Sequence, residues 1–121
     1  MNLILIPARG GSKRIPKKNI KFFKGKPIIE WSIKQALNTN TFNKVVVSTD
    51  DDEIARISKL AGAEVPFMRP KEFSEDFSTT SEVVKHAIKW FKKEGIIFEN
   101  VCCLYPTAPF VKASFLSSAL I

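Results

Sequence analysis

Short runs of unbroken apolar residues alternate along this chain with longer stretches whose apolar positions recur every three or four residues. The runs are Leu3-Ile4-Leu5-Ile6, then Val45-Val46-Val47-Ser48, then 100–105 with Val101-Cys102-Cys103-Leu104-Tyr105. Such segments, with no polar alternation, predict strands buried on both faces. Residues 63–67 offer a further strand. Between the first two runs, 27–37 has helical spacing, with Ile29, Ile33, Ala36 and Leu37 on one face and Pro27 suited to the first turn. Residues 50–61 predict a helix burying Ile54, Ile57 and Leu60, opened by acids that suit the dipole and stopped by Gly62. The capping box Thr79-x-x-Glu82 opens an amphipathic helix burying Val83, Val84, Ala87, Ile88 and Phe91. Another helix begins at 112–121.

Strands and helices alternating in this way predict an α/β fold, a parallel sheet of βαβ units joined by right-handed crossovers. Ligands bind such sheets beyond the carboxyl ends of the strands. Three polar loops are expected there: 7–19 after the first strand, Thr49-Asp50-Asp51-Asp52 after the second, and Pro106-Thr107-Ala108-Pro109 after the fourth. The expected site is composite.

Length and composition fit this picture: 121 residues, 45% hydrophobic and 26% charged, make one ordered domain spanning 1–121. No apolar stretch reaches membrane length, and the first residues do not read as a signal peptide because the basic residues follow the apolar ones. The cytoplasm is the default location. Cys102 and Cys103 are adjacent, so as strand neighbours they face opposite ways and do not bond to each other. They also lack metal-site spacing and read as buried, reduced packing residues. Leu120 and Ile121 fall within a helical pattern, which leads us to expect a domain incomplete at its C-terminus, the front part of a longer protein.

Charge changes the picture more. The net charge is +7, and Arg9, Lys13, Arg14, Lys17, Lys18, Lys21, Lys24 and Lys26 crowd one stretch that holds no acid from Arg9 to Lys26. A local anion pocket explains this bias better than a nucleic-acid footprint, since no RNA-recognition signature or zinc-finger spacing accompanies it. The stretch opens Pro7-Ala8-Arg9-Gly10-Gly11-Ser12-Lys13-Arg14-Ile15-Pro16-Lys17-Lys18-Asn19 directly after the first strand. Gly10 and Gly11 allow backbone N–H groups to approach an anion, the cations neutralise it, and the prolines restrict the loop. Neither the P-loop pattern nor the dinucleotide Gly-x-Gly-x-x-Gly occurs, so ordinary ATPase and NAD readings lose their support. The alternative is a solvated basic loop; the strand-to-glycine context favours a polyphosphate.

That loop, followed by Gly25-Lys26-Pro27 and Ser48-Thr49-Asp50, resembles the acylneuraminate cytidylyltransferases, or CMP-sialic acid synthetases. The likeness covers the whole chain but only the N-terminal half of such an enzyme. Val65-Pro66-Phe67-Met68-Arg69-Pro70, Asp76-Phe77 and 102–110 resemble the pseudaminic acid branch of the family. Tyr105 stands where sialic acid enzymes carry Gln, and Ala108 where they carry Ser. Pseudaminic acid is therefore the expected sugar, with legionaminic acid next.

The resemblance implies a Rossmann-like three-layer nucleotidyltransferase fold with a mostly parallel sheet, truncated here. It implies attack by the anomeric hydroxyl of a nine-carbon sugar acid on the α-phosphorus of CTP, with release of pyrophosphate. Carried onto these residues, Arg9, Ser12 and Lys13 would hold the triphosphate, aided by N–H groups of Gly10 and Gly11. Lys18 and Asn19 would sit at the α-phosphate, where charge develops, and Arg9, Lys18 and Asn19 form the expected catalytic set. Arg69 would read the cytosine or ribose side, or instead pair with Asp76 and hold its own loop. Tyr105 and Thr107 would face the sugar.

Lys17 and Lys21 read as solvated, His86 as structural or solvent-facing, and Trp31 and Trp90 as core or interface residues. Asp50, Asp51 and Asp52 suit a helix N-terminus without any metal. Mg²⁺ is the implied cofactor, with its main aspartate ligands expected downstream of this chain and no metal ligand within it. A homodimer is the expected assembly of the longer protein, with neither nucleic acid nor membrane as partner. The alternative function is a non-catalytic nucleotide-binding fragment or pseudoenzyme that lacks the metal-binding half.

Overall fold

A computed structural model of the chain describes residues 1–10, 22–38, 42–70 and 80–105. Strand β1 (Asn2–Pro7) is the centre of a three-stranded sheet in the order β4-β1-β5, with β4 at Lys44–Ser48 and β5 at Asn100–Cys103. Both neighbours run parallel to it, Ile4 opposite Val45 on one side and Cys102 on the other. A hairpin of β2 (Phe22–Phe23) and β3 (Lys26–Pro27) stands apart from that sheet. Its two loop residues, Lys24 and Gly25, have φ of 48° and 84°. Two positive φ values in succession are what a two-residue type I′ connection demands, and glycine takes the second without strain.

The unbroken apolar strand reflects cover on both faces. Ile4 and Ile6 of β1 join Val45 and Val47 beneath α1 (Ile28–Leu37) and α2 (Asp52–Leu60), in a core with Ile29, Ile33, Ala36 and Ile54. Leu3, Leu5 and Val46 face the other way and pack with Val83, Ala87 and Phe91 of α3 (Thr80–Lys93). Alternate residues of one strand thus feed two cores, giving helix, sheet and helix layers. Phe67, Trp90, Phe91 and Phe98 extend the second core as an aromatic chain with ring centroids 5.0–6.4 Å apart, edge-to-face except for the tilted Phe67–Trp90 pair. His86, expected to be structural or solvent-facing, is half-buried and meets Phe67 edge-on at 4.9 Å.

Several expected details change. Residues 63–67 make no strand: a single parallel bridge joins Glu64 to Val46, and Pro66, which has no N–H, cannot continue the ladder. Leu60 is not buried but 77% exposed. Stepping by threes from Ile54 drifts about 60° per step on a helix, so Leu60 rotates outward while Ala55 and Ser58 turn in. Leu37 and Ile88 are also exposed, at the margins of their helices' apolar faces, and Ser32 takes an inner position on α1. Helix α2 stops as expected at Gly62, whose φ is 107°. Cys102 and Cys103 are free thiols, half-buried rather than fully enclosed. The capping residue Thr79, the 106–109 loop and the helix expected at 112–121 lie outside the described residues.

No helix among the described residues is long and apolar enough to cross a membrane. The chain leaves β1 toward β4 and later reaches β5 on the opposite side. Connections diverging from a central strand open a crevice at its carboxyl end, the place where open α/β sheets bind ligands.

Candidate functional site

The carboxyl end of β1 is built by its neighbours. Ala8 N–H donates to Ser48 O at 2.8 Å and Leu104 N–H donates to Leu5 O at 2.9 Å, so the chain ends of all three strands stay in register past the ladder. Arg9 and Gly10 follow, both half-buried. Gly10 N–H donates to Asp50 Oδ1 at 2.8 Å, tying the basic loop to the acidic turn after β4. This joins two of the three loops anticipated at the site.

The acidic turn has a division of labour. Asp51 is the N-cap of α2, accepting from Ile54 N–H at 2.9 Å, which satisfies one of the helix's orphan donors. Its own N–H donates to Thr49 Oγ1 at 3.1 Å. Asp50 faces the loop, and Asp52 and Glu53 lie in the first helical turn, where the dipole favours negative charge.

Arg69 is only 6% exposed. Its Nε donates to Ser48 Oγ at 3.2 Å and a terminal guanidinium nitrogen donates to Ser48 O at 2.7 Å, while its backbone N–H reaches Thr49 O at 2.8 Å. The guanidinium is therefore planted at the end of β4. Burial lowers its pKa from the ordinary value, the Asp50 carboxylate works against that shift, and the charge of Arg9 adds to it. Arg9, Arg69 and Asp50 thus share one electrostatic environment.

Of the expected site residues, Arg9, Gly10, Arg69 and Tyr105 are described. Arg9 and Gly10 meet Arg69's surroundings through Asp50 and Ser48. Tyr105 is 54% exposed just beyond β5, at the same end of the sheet. Gly11, Ser12, Lys13, Lys18, Asn19 and Thr107 lie outside the described residues, as do Lys17, Lys21 and Asp76. Asp50 belongs to one of the loops expected at the site, and Ser48 to the motif that precedes it, but neither was given a role there. A polar Ser-Thr-Asp step closing a strand of buried valines was the available signal, because a buried serine at a strand end needs a partner.

Among the described residues no group of three or more His, Cys, Asp or Glu could hold a metal ion. The carboxylates of Asp50 and Asp51 each accept a backbone N–H. The described residues by themselves do not fit a Mg²⁺ site.

The family described as Cytidylyltransferase matches residues 3–120. The chain belongs to that family. It is 48% identical to the pseudaminic acid cytidylyltransferase of Campylobacter jejuni serotype O:2 over 118 residues, 98% of this chain and 51% of that protein. It is 37% identical to the CMP-N,N'-diacetyllegionaminic acid synthase of Legionella pneumophila, over 98% of this chain and 51% of that one. Against N-acylneuraminate cytidylyltransferase A of Danio rerio the identity is 39%, over 96% of this chain and 26% of the relative. This member of the cytidylyltransferase family therefore spans about half the length of the Campylobacter and Legionella relatives. A solved CMP:2-keto-3-deoxy-manno-octonic acid synthetase complexed with CTP superimposes with a TM-score of 0.79 at 22% identity, over 97% of this chain and 44% of that one. That likeness establishes the Rossmann-like α/β nucleotidyltransferase fold.

Proposed function

We propose that this chain is the CTP-binding half of a cytidylyltransferase that transfers CMP to the anomeric hydroxyl of a nonulosonic acid, pseudaminic acid foremost, and releases pyrophosphate. The observation carrying the nucleotide reading is the meeting of Arg9 and Gly10 with Asp50 and buried Arg69 at the diverging end of a parallel sheet. The choice of sugar rests on identity: 48% with a pseudaminic acid enzyme, against 37% and 39% with the legionaminic and neuraminate relatives.

In this reading the fixed cations of Arg9 and Arg69 make the crevice attractive to polyphosphate before it arrives, so little reorganisation accompanies binding. Arg9, Ser12 and Lys13 grip the triphosphate with the backbone of Gly11, the Gly10 N–H being committed to Asp50, and Lys18 and Asn19 stand at the α-phosphate. Arg69 lies on the nucleoside side, and Tyr105 and Thr107 face the sugar. Mg²⁺ belongs to this proposal as the divalent ion of the whole protein, as do a homodimer and a cytoplasmic location.

Pyrophosphate release is the test, measured with CTP, Mg²⁺ and each of pseudaminic, legionaminic and N-acetylneuraminic acid. It is run on this chain alone and on the chain completed with the C-terminal portion of the Campylobacter protein. Turnover fastest with pseudaminic acid is expected from the completed protein. Release with none of the three acids refutes the reading, and CTP binding without turnover in either form favours a non-catalytic nucleotide module.

A further inference from the structure

Three contacts converge on Gly10. Its N–H is held by Asp50 Oδ1 at 2.8 Å. A Cβ placed on it would lie 2.7 Å from Asp51 Cβ and 2.9 Å from Asp51 Oδ2, closer than side chains approach. Asp51 cannot readily retreat, because it caps α2 through Ile54 N–H and is itself held by Thr49 Oγ1. The first step of the basic loop is thus pressed against the start of a helix.

The Gly10 N–H belongs to the peptide that joins it to Arg9, and that peptide is planar. Fixing its N–H therefore fixes ψ of Arg9 and φ of Gly10 together. On the other side of Arg9, Ala8 N–H is already committed to Ser48 O at 2.8 Å. The short stretch that carries the Arg9 side chain is therefore anchored at the Pro7–Ala8 peptide before it and at the Arg9–Gly10 peptide directly after it.

We infer that Asp50 is a positioning residue for the nucleotide: by clasping Gly10 N–H it fixes the Arg9–Gly10 peptide and aims Arg9 at the phosphates. This rests on the nucleotide-binding reading above. It revises the part given to Gly10, whose N–H serves the protein's own carboxylate while its missing side chain allows contact with Asp51. An N–H bonded to a carboxylate is charge-assisted and stronger than a neutral bond, so a phosphate gains little by taking it over. If Asp50 instead only stood in for a phosphate oxygen, removing its charge would strengthen binding of CTP.

The two outcomes are separated by Asp50→Ala, which deletes the acceptor, and Asp50→Asn, which keeps an amide oxygen there and removes the charge. For Asp50→Ala, calorimetric titration of the chain with CTP is expected to show binding weaker by about tenfold, from loss of a hydrogen bond to a charged group. Its Gly10 amide, followed by two-dimensional NMR, is expected to exchange with solvent roughly tenfold faster. Asp50→Asn should stay within about threefold of the native chain in both measurements. Asp50→Ala should also melt about 6 °C or more below the native chain, from loss of that bond, while Asp50→Asn melts within about 3 °C of it; titration and exchange are run well below both transitions. The inference is overturned if Asp50→Ala binds CTP as tightly as the native chain or more so, if Asn fails to rescue, or if Gly10 exchange is unchanged. A native chain that does not bind CTP overturns the functional reading instead, and the exchange rates still decide whether the clasp exists.

Discussion

Adding one methyl group at Gly10 probes the seam between the basic loop and α2. The φ of Gly10 lies outside the left-handed region, so the cost of Gly10→Ala is steric. The three nearest atoms to the new Cβ, at 2.7, 2.9 and 3.1 Å, all belong to Asp51. Relief has two routes. If Asp51 moves, α2 loses its N-cap, at about 1 kcal/mol. If the loop moves, Gly10 N–H leaves Asp50, a bond to a charged acceptor worth about 1.5–3 kcal/mol. The cheaper route plus residual overpacking gives a loss of about 1–2 kcal/mol, or roughly 4–8 °C in melting temperature for a domain of this size.

Thermal unfolding followed by circular dichroism reads that loss, and a double-mutant cycle assigns it. Asp51→Gly removes every atom that the new methyl strikes and, as a cap replacement, costs only a few tenths of a kcal/mol, so Gly10→Ala in that background should be roughly neutral. It could even gain about 0.4–1 kcal/mol by restricting the unfolded chain. A Gly10→Ala protein that melts with the native chain, or loses equally in both backgrounds, refutes the steric account of this seam.

Two further perturbations test the neighbouring structure. Arg69→Lys keeps the charge but loses the planar fork that reaches both oxygens of Ser48, and should cost about 2 kcal/mol in urea unfolding; no loss would deny Arg69 its anchoring role. Burial pushes the Cys103 thiol up from 9.0 to about 11, with the Cys102 thiol adding to the shift. Folded Cys103 therefore keeps its proton where the unfolded chain has lost it, so stability should fall between about pH 9 and 11. Removing the thiol with Cys103→Ala should flatten that part of the pH–stability curve, and an unchanged slope would refute the assignment.

The two-faced strands, the three helices and the meeting of two polar loops at the carboxyl ends of the strands were legible because they follow from periodicity and from topology. Residues 63–67 misled because composition favours a strand while Pro66 forbids the ladder; only tertiary pairing shows that Glu64 alone bridges to β4. Leu60 misled because a three-residue spacing was extended too far around a helix whose phase is set by the Asp51 cap. Charge and glycine spacing drew attention to the Arg9–Gly10 corner, which the structure ties to the turn after β4. They could not reveal that the acceptor for Gly10 N–H lies forty positions later, in Asp50. Long-range hydrogen bonds between loops leave no local pattern to read.

Arg69 shows how far this changes the electrostatic picture. Sequence offered two roles, recognition of the nucleoside or an ion pair with Asp76, which lies outside the described residues. In the folded chain its donors hold Ser48, and its charge acts on the surroundings of Arg9 and Asp50. Burial disfavours the charged guanidinium of Arg69, Arg9 adds to that, and Asp50 opposes it, so the position of this cation is set by the packing at the end of β4. The cost of bringing the cations together falls on folding, partly offset by Asp50, rather than on ligand binding. An incoming anion then meets a field already in place, and each contact it makes adds to affinity instead of being spent on organising the site.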